Sequence, residues 1–309
     1  MIDVNFTEQQ LRAVNSTFKK NLVLACAGSG KTSVIVGRVD YLKQKGINPE
    51  QILALTFSNK AAKEMKERIR KNDVNFGRKV NVKTFHSFGL EIINSYFNTL
   101  GFTEKVSIAM KEDCNTIIKD IYKKRNEKAI DGNDIFEYIH SFKSFENYVK
   151  QPYFEEIVKL YCNALKEKNM VDMDDMIYLP VLLLKEYENI RTAICQKYKC
   201  IFVDEYQDTN TAQNLLLDYV TCDETDLFLV GDDDQAIYEW RGARPDFILK
   251  KSEDPAYHCL KLETNFRSQG EIISLANRLI SINKKRVRKS IDKHRKSIVK
   301  PMYKRFYSE

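Results

Sequence analysis

Residues 21–32 read Asn-Leu-Val-Leu-Ala-Cys-Ala-Gly-Ser-Gly-Lys-Thr. A short apolar run, Asn21–Ala25, gives way to a turn, which is the pattern of a buried strand. The turn, Ala25-Cys26-Ala27-Gly28-Ser29-Gly30-Lys31-Thr32, follows the phosphate-loop pattern with Ala at the usual first Gly. Gly28 and Gly30 let the backbone bend tightly, so that N–H groups face an anion. Lys31 can reach the β- and γ-phosphates of a nucleotide, and the Thr32 hydroxyl can bind Mg²⁺. A helical pattern from about Ser33 to Lys45 would point its N-terminus at the same anion. Nucleotide binding alone does not separate kinases, GTPases and motor ATPases.

Further apolar runs read as strands: Ile52–Phe57, Val80–Phe85, Cys200–Val203, Leu227–Val230 and Cys259–Leu262. Strand, helix, strand with near-continuous apolar strands predicts an α/β fold, a parallel sheet covered by helices on both faces. From about Gly89 to Lys199 no strong strand run occurs. Apolar residues there recur at helical spacing, as in Ile157, Leu160, Tyr161, Ala164 and Leu165. That stretch reads as a helical insertion. A separate domain in series is the alternative, but motifs of one site flank the stretch. The expected divisions are 1–90 and 191–280 for the two parts of the sheet-bearing lobe, 91–190 for the insertion, and 281–309 for the basic start of a missing second lobe.

Two acidic motifs narrow the class. The run Cys200–Val203 ends in Asp204-Glu205-Tyr206-Gln207-Asp208. A carboxylate at a strand tip, Asp204, can hold Mg²⁺ beside the phosphate loop, and Glu205 can orient the attacking water. Two adjacent acids favour hydrolysis over transfer to a bound acceptor. After Leu227–Val230 comes Gly231-Asp232-Asp233-Asp234-Gln235, then Tyr238, Trp240 and Arg241. Gln235 suits a γ-phosphate sensor. Aromatics with Arg can stack on single-stranded bases, at about 1–3 kcal/mol per base, although Tyr and Trp at this spacing also suit a core.

Composition removes other classes. No run of 18 apolar residues is present and the first residues lack a secretory pattern. Seven scattered cysteines without a CxxC pair argue against a zinc site or a disulfide frame. A reducing cytoplasm fits. The net charge is +7 over 309 residues, but residues 283–305 alone carry +10, leaving −3 for the rest. The weak hint of a polyanion partner therefore resides in the tail.

The ordered series FTEQQLRAV (6–14), ACAGSGKT (25–32), LALTFSNKAAKEMKERI (53–69), TFHSFG (84–89), VDMDDM (171–176), VDEYQDTN (203–210), VGDDDQAIYEWRGA (230–243) and LETNFRS (262–268) resembles the N-terminal part of superfamily 1 DNA helicases of the UvrD/Rep/PcrA kind. The resemblance covers nearly the whole chain. It implies a RecA-like first lobe with a helical accessory subdomain, ATP and Mg²⁺ as cofactors, and 3′→5′ movement on single-stranded DNA or at a single/double-strand junction. It implies that Gln10 reads adenine, that Ala27, Gly28, Ser29, Gly30, Lys31, Thr32 and Ser33 cradle the phosphates, and that Arg38 and Phe266 flank the base. Phe266 stands where the family commonly has Tyr, and keeps a stacking face. Lys31, Asp204, Glu205, Gln235 and Arg267 would carry the chemistry. Thr56, Phe57, His86, Tyr238, Trp240 and Arg241 would line the DNA path.

The family's later motifs, in a second lobe, are not among these 309 residues. One of them supplies an arginine, a group worth about 10³–10⁵ in rate. The expectation is a chain that binds ATP–Mg²⁺, hydrolyses it weakly and does not unwind DNA alone, read as a truncated chain, a split gene or a degenerate relative. The competing expectation is a binding or regulatory module: a one-lobe, non-catalytic protein that binds nucleotide and single-stranded DNA, or a subunit completed by a partner supplying that lobe. The basic tail is expected to be an exposed, poorly ordered arm.

Overall fold

The computed structural model describes residues 6–125, 132–146, 151–296 and 302. In chain order the first elements are α1 (Glu8–Val14), β1 (Lys20–Ala25), α2 (Lys31–Gln44), β2 (Ile52–Thr56), α3 (Asn59–Asn72), α4 (Val74–Lys79) and β3 (Asn81–Thr84). A mainly helical stretch follows: α5 (Phe85–Ser95), β4 (Ser107–Ile108), α6 (Lys111–Lys124), α7 (Gly132–Lys143), α8 (Pro152–Glu167), β5 (Met170–Val171), α9 (Asp175–Glu186) and α10 (Glu188–Lys197). The chain then returns through β6 (Cys200–Val203), α11 (Thr211–Val220), β7 (Asp226–Gly231), α12 (Asp246–Glu253), β8 (His258–Leu262), β9 (Thr264–Gln269), α13 (Gly270–Ile280) and β10 (Asp292–Arg295).

Six strands form one sheet in the order β3-β2-β6-β7-β1-β8. The pairs β2–β6, β6–β7, β7–β1 and β1–β8 are all parallel. The four inner strands β2, β6, β7 and β1 are almost wholly apolar and buried, because helices cover both faces. Val23, Ala54, Phe202 and Val230 join Val34, Val39 and Met65 in one core. The expected α/β sheet is therefore the observed one, and every apolar run read as a strand contains one.

Register decides where the chemistry can be. Leu24 lies opposite Gly231, Ala25 opposite Leu262, and Val203 opposite both Leu55 and Leu229. Five parallel strands thus end at nearly the same level, and the loops after them share one edge. Ligands of open parallel sheets bind at that carboxyl edge.

The chain divides into two compact units, one of Met1–Val82, Lys199–Asp208 and Asp223–Glu309, the other of Lys83–Tyr198 and Thr209–Cys222. The second unit begins earlier than the expected insertion and ends later. It also takes in α11, because the buried Leu216 and Leu217 belong to a helix that packs against α9. Among the described residues, no helix is long and apolar enough to cross a membrane.

Two polar arrangements organise the helical unit. Pro180 lies inside α9 and has no N–H for the carbonyl of Met176, four residues earlier. That carbonyl faces Gly89 of α5 so closely that a Cβ there would collide with it. The motif glycine at 89 is thus a requirement of packing. The second arrangement is a buried ion cluster. Lys143, with no exposed side-chain surface, lies 2.7 Å from both Asp172 and Asp175, and the Tyr161 hydroxyl donates to Asp172 at 3.0 Å. Burial works against the ammonium but is outweighed by the two carboxylates, so its pKa is raised. The acidic motif at 171–176 is therefore half of a structural ion cluster. Replacing one partner strands the other charges in the interior. Lys143→Met should cost about 3–5 kcal/mol in urea unfolding followed by circular dichroism, whereas Lys159→Met, outside the cluster, should cost less than about 0.5 kcal/mol.

Candidate nucleotide-binding site

The loop between β1 and α2 turns through two left-handed glycines, Gly28 at φ +68° and Gly30 at φ +88°. Gly30 is the residue before the helix, so the first amides of α2 have no intrahelical acceptor and face the loop. A Cβ on Gly28 would come within 2.8 Å of the Arg267 Cβ and 3.0 Å of the Asn265 Nδ2. Glycine is needed there for both conformation and space. The Ser29 hydroxyl is buried without a hydrogen-bond partner. A buried, unsatisfied polar atom in an anion cradle fits a phosphate ligand. Cys26 is buried, which pushes its thiol up to about 12, so it serves as an inert wall.

A second segment clasps this loop. Asn265 donates to the Ala27 carbonyl at 2.7 Å and accepts from the Arg267 and Ser268 amides at 2.8 and 2.7 Å. The Phe266 amide donates to the Gly28 carbonyl at 3.0 Å. Arg267 is thereby held beside Gly28 with its side chain exposed. The Phe266 ring lies 4.8 Å from the His294 ring. Gln10 is buried between helix cap and loop: its Oε1 accepts from the Thr7 amide at 3.0 Å, and its Nε2 donates to the Ser29 carbonyl at 2.8 Å. One amide hydrogen and one lone pair stay available for a base. Thr32 and Ser33 are half-buried in the first turn of α2.

The acidic strand tip lies beside the loop. The Lys31 ammonium contacts the Glu205 carboxylate at 2.7 Å and the Gln235 amide oxygen at 3.5 Å. Gln207 donates to Glu205 at 2.9 Å, and its Oε1 accepts from the Asp232 amide at 2.9 Å. Gln235 donates in turn to the Asp232 carboxylate. Lys31, Glu205, Gln207, Asp232 and Gln235 therefore close a ring. Glu205 holds φ at +51°, a conformation costly for a non-glycine residue and kept only where its surroundings demand it. Burial, and then the negative charge of Glu205, push the Asp204 carboxyl up to about 6. A divalent cation would favour its ionised form, so the donor set fits Mg²⁺.

Some expected site residues lie elsewhere. Arg38 is 2% exposed and does not face a base. Its guanidinium donates to the carbonyls of Val14 and Ser16 and to Asp226 at 2.6 Å. Asp226 begins β7, so the pair sits at the amino edge of the sheet, away from the phosphate loop. Arg38 is a structural clasp. Thr56 is 1% exposed and gives its hydroxyl to the Ser58 carbonyl at 3.1 Å, so it offers no surface to a ligand. Phe57 does, stacked on Tyr238 at 5.3 Å with a 17° interplanar angle. Trp240 is 78% exposed, with the Arg241 guanidinium 5.3 Å above its ring. The core reading of Trp240 therefore fails. His86 belongs to the helical unit, half-buried, with its pKa lowered by burial against the opposing pull of Asp174.

Asn265 and Gln207 carry no pattern in the sequence that marks them as site residues, and the tail departs from its expected form. The expected free arm is in part a docked segment. Lys289 is buried against the Asp232–Asp234 triplet, and Arg286 makes a two-point pair with Asp234 at 2.8 and 2.5 Å. Residues 292–295 pair with β9 and are exposed. Residues 297–301 and 303–309 lie outside the described residues.

A phosphate loop at the carboxyl edge of a parallel sheet, faced by a strand-tip carboxylate and a glutamine turn, defines a P-loop nucleotide-binding protein. The chain belongs to the UvrD/REP helicase family: that family's N-terminal domain matches residues 6–256. It is 38% identical over 295 residues to the ATP-dependent DNA helicase Rep of Escherichia coli, covering 89% of this chain and 43% of that protein. It is 34% identical over 301 residues to the ATP-dependent DNA helicase PcrA of Staphylococcus aureus, covering 92% of this chain and 41% of PcrA. A probable DNA helicase II homolog of Mycoplasma capricolum is 35% identical, covering 94% of this chain and 43% of that protein. The chain thus spans less than half the length of the curated relatives it matches.

The two arginine and lysine assignments separate experimentally. Arg38→Met should cost about 3–5 kcal/mol of stability, the penalty for stranding Asp226, with nucleotide affinity unchanged in calorimetry. Lys31→Ala should do the reverse, weakening nucleotide binding about tenfold or more through loss of charged contacts to phosphate, with little change in melting temperature.

Proposed function

We propose that this chain is the nucleotide-binding lobe and accessory helical unit of an ATP-dependent DNA helicase or translocase acting on single-stranded DNA or its junction with duplex. The observation that carries the proposal is the closed ring joining Lys31, Glu205, Gln207, Asp232 and Gln235, with half-buried Tyr238 and exposed Trp240 and Arg241 a few residues after Gln235 in the chain. Movement 3′→5′ rests on the family resemblance.

On this reading the β- and γ-phosphates take the Lys31 ammonium from Glu205. Glu205 loses its ion pair and keeps the Gln207 contact, which leaves an oriented carboxylate facing the attacking water. Thr32 and Asp204 would hold Mg²⁺, which when bound offsets charge on the phosphate oxygens. Gln235 exchanges a contact to Lys31 for one to the γ-phosphate, and the change passes along a short turn to Tyr238, Trp240 and Arg241. Arg267, held beside Gly28, adds positive charge at the same phosphates. Gln10 and Phe266 receive the base. Phe57 stacked on Tyr238, with Trp240 and Arg241, supplies aromatic faces and positive charge for unpaired bases.

Trp240 is the only tryptophan, so its emission reports this surface directly. Adding a single-stranded oligonucleotide should quench it, and Tyr238→Ala should weaken the apparent affinity by about 1–3 kcal/mol. Unchanged emission at saturating oligonucleotide would remove the assigned DNA surface.

A further inference from the structure

The segment following α13 supplies two cations to the Asp232–Asp234 triplet. Their carboxylate oxygens lie within 4.8 Å of one another, close enough to hold a metal ion. The centre is filled instead by the Lys289 ammonium, 2.9 Å from both Asp232 and Asp234 and also in contact with Asp233. Its side chain is 1% exposed. Burial disfavours the ammonium, but the three carboxylates outweigh it and raise its pKa. Arg286 closes the outer side, and the Val287 amide donates to Asp233 at 2.8 Å.

This arrangement matters because Asp232 belongs to the ring around Lys31. One Asp232 oxygen meets Lys289 while the other accepts from Gln235. Without a cation, three close carboxylates repel one another in a poorly solvated place. The single turn Asp233–Gln235 could relieve the repulsion by shifting, and it carries Gln235, three residues before Tyr238.

We propose that Lys289, supported by Arg286, is the positioning residue of the Gln235 turn: it holds Asp232 so that Gln235 faces the γ-phosphate, and thereby gives the site its preference for ATP over ADP. This rests on the proposed reading of the site as an ATP site. Lys289 touches no nucleotide on this account and acts only through Asp232.

The test is calorimetric titration of the 309-residue chain with Mg²⁺ and either ADP or the slowly hydrolysed ATPγS, for wild type, Lys289→Met, Lys289→Arg and Arg286→Gln. Wild type should prefer ATPγS. Lys289→Met should lower the ATPγS/ADP affinity ratio by about fivefold or more, mainly through weaker ATPγS binding, and Lys289→Arg should recover most of the ratio. A purely structural role would weaken both nucleotides alike and leave the ratio unchanged, which overturns the proposal. If Lys289→Met does not fold, the more accessible Arg286→Gln decides, with a smaller loss of the same ratio expected and no loss contradicting the proposal. A wild-type chain that binds both nucleotides equally overturns this inference and leaves nucleotide binding intact. A wild-type chain that binds neither overturns the reading of the site itself.

Discussion

The parallel register of β2, β6, β7, β1 and β8 is the constraint on which the rest depends. Because these strands run the same way and end at one level, the loops after Ala25, Thr56, Val203, Gly231 and Leu262 emerge along one edge. Residues separated by more than two hundred positions, such as Ala27 and Asn265, can then share a hydrogen bond. The burial that makes the strands apolar also makes the edge polar. Main-chain and side-chain groups left over at the strand tips must find partners there, and they find one another.

That edge holds an unusual density of charge. Asp204, Glu205 and Asp208 cluster near a single lysine of the phosphate loop, and burial pushes both Asp204 and Asp208 up to about 6. The Asp232–Asp234 triplet is balanced separately by Lys289 and Arg286. Two acidic groups so close are tolerable only because each has its own cation, and Gln207 bridges them as a neutral spacer. The second division of charge explains the basic tail better than a general affinity for polyanions does. Part of its +10 is consumed inside the fold, and the exposed remainder includes β10.

Much of this was legible in the sequence. The four inner strand runs are nearly continuous and apolar, and two glycines before Lys31 and Thr32 form a turn that leaves amides unpaired at a helix start, so the sheet and the loop could be read directly. Lys31, Glu205 and Gln235 are brought together as their motifs suggested. What the family resemblance implied for Arg38 and Thr56 differs from their surroundings. Arg38 was placed beside the base, but α2 carries it to the opposite edge, where two carbonyls and Asp226 take up its guanidinium. Thr56 ends a buried strand and its hydroxyl is spent locally. Lys289 hid within a run of basic residues, since no local pattern says which of eleven cations will be buried. Long-range charge pairing has no sequence period, which is why it escaped a reading based on spacing.

On the proposed function, four separated segments form one nucleotide site. Hydrogen–deuterium exchange on the 309-residue chain, with and without Mg²⁺ and ATPγS, measures this directly. Joint slowing of exchange is expected in residues 27–33, 204–207, 232–236 and 265–268, lost together in Lys31→Ala. Slowing confined to the phosphate loop, or spread without regard to these segments, would contradict it.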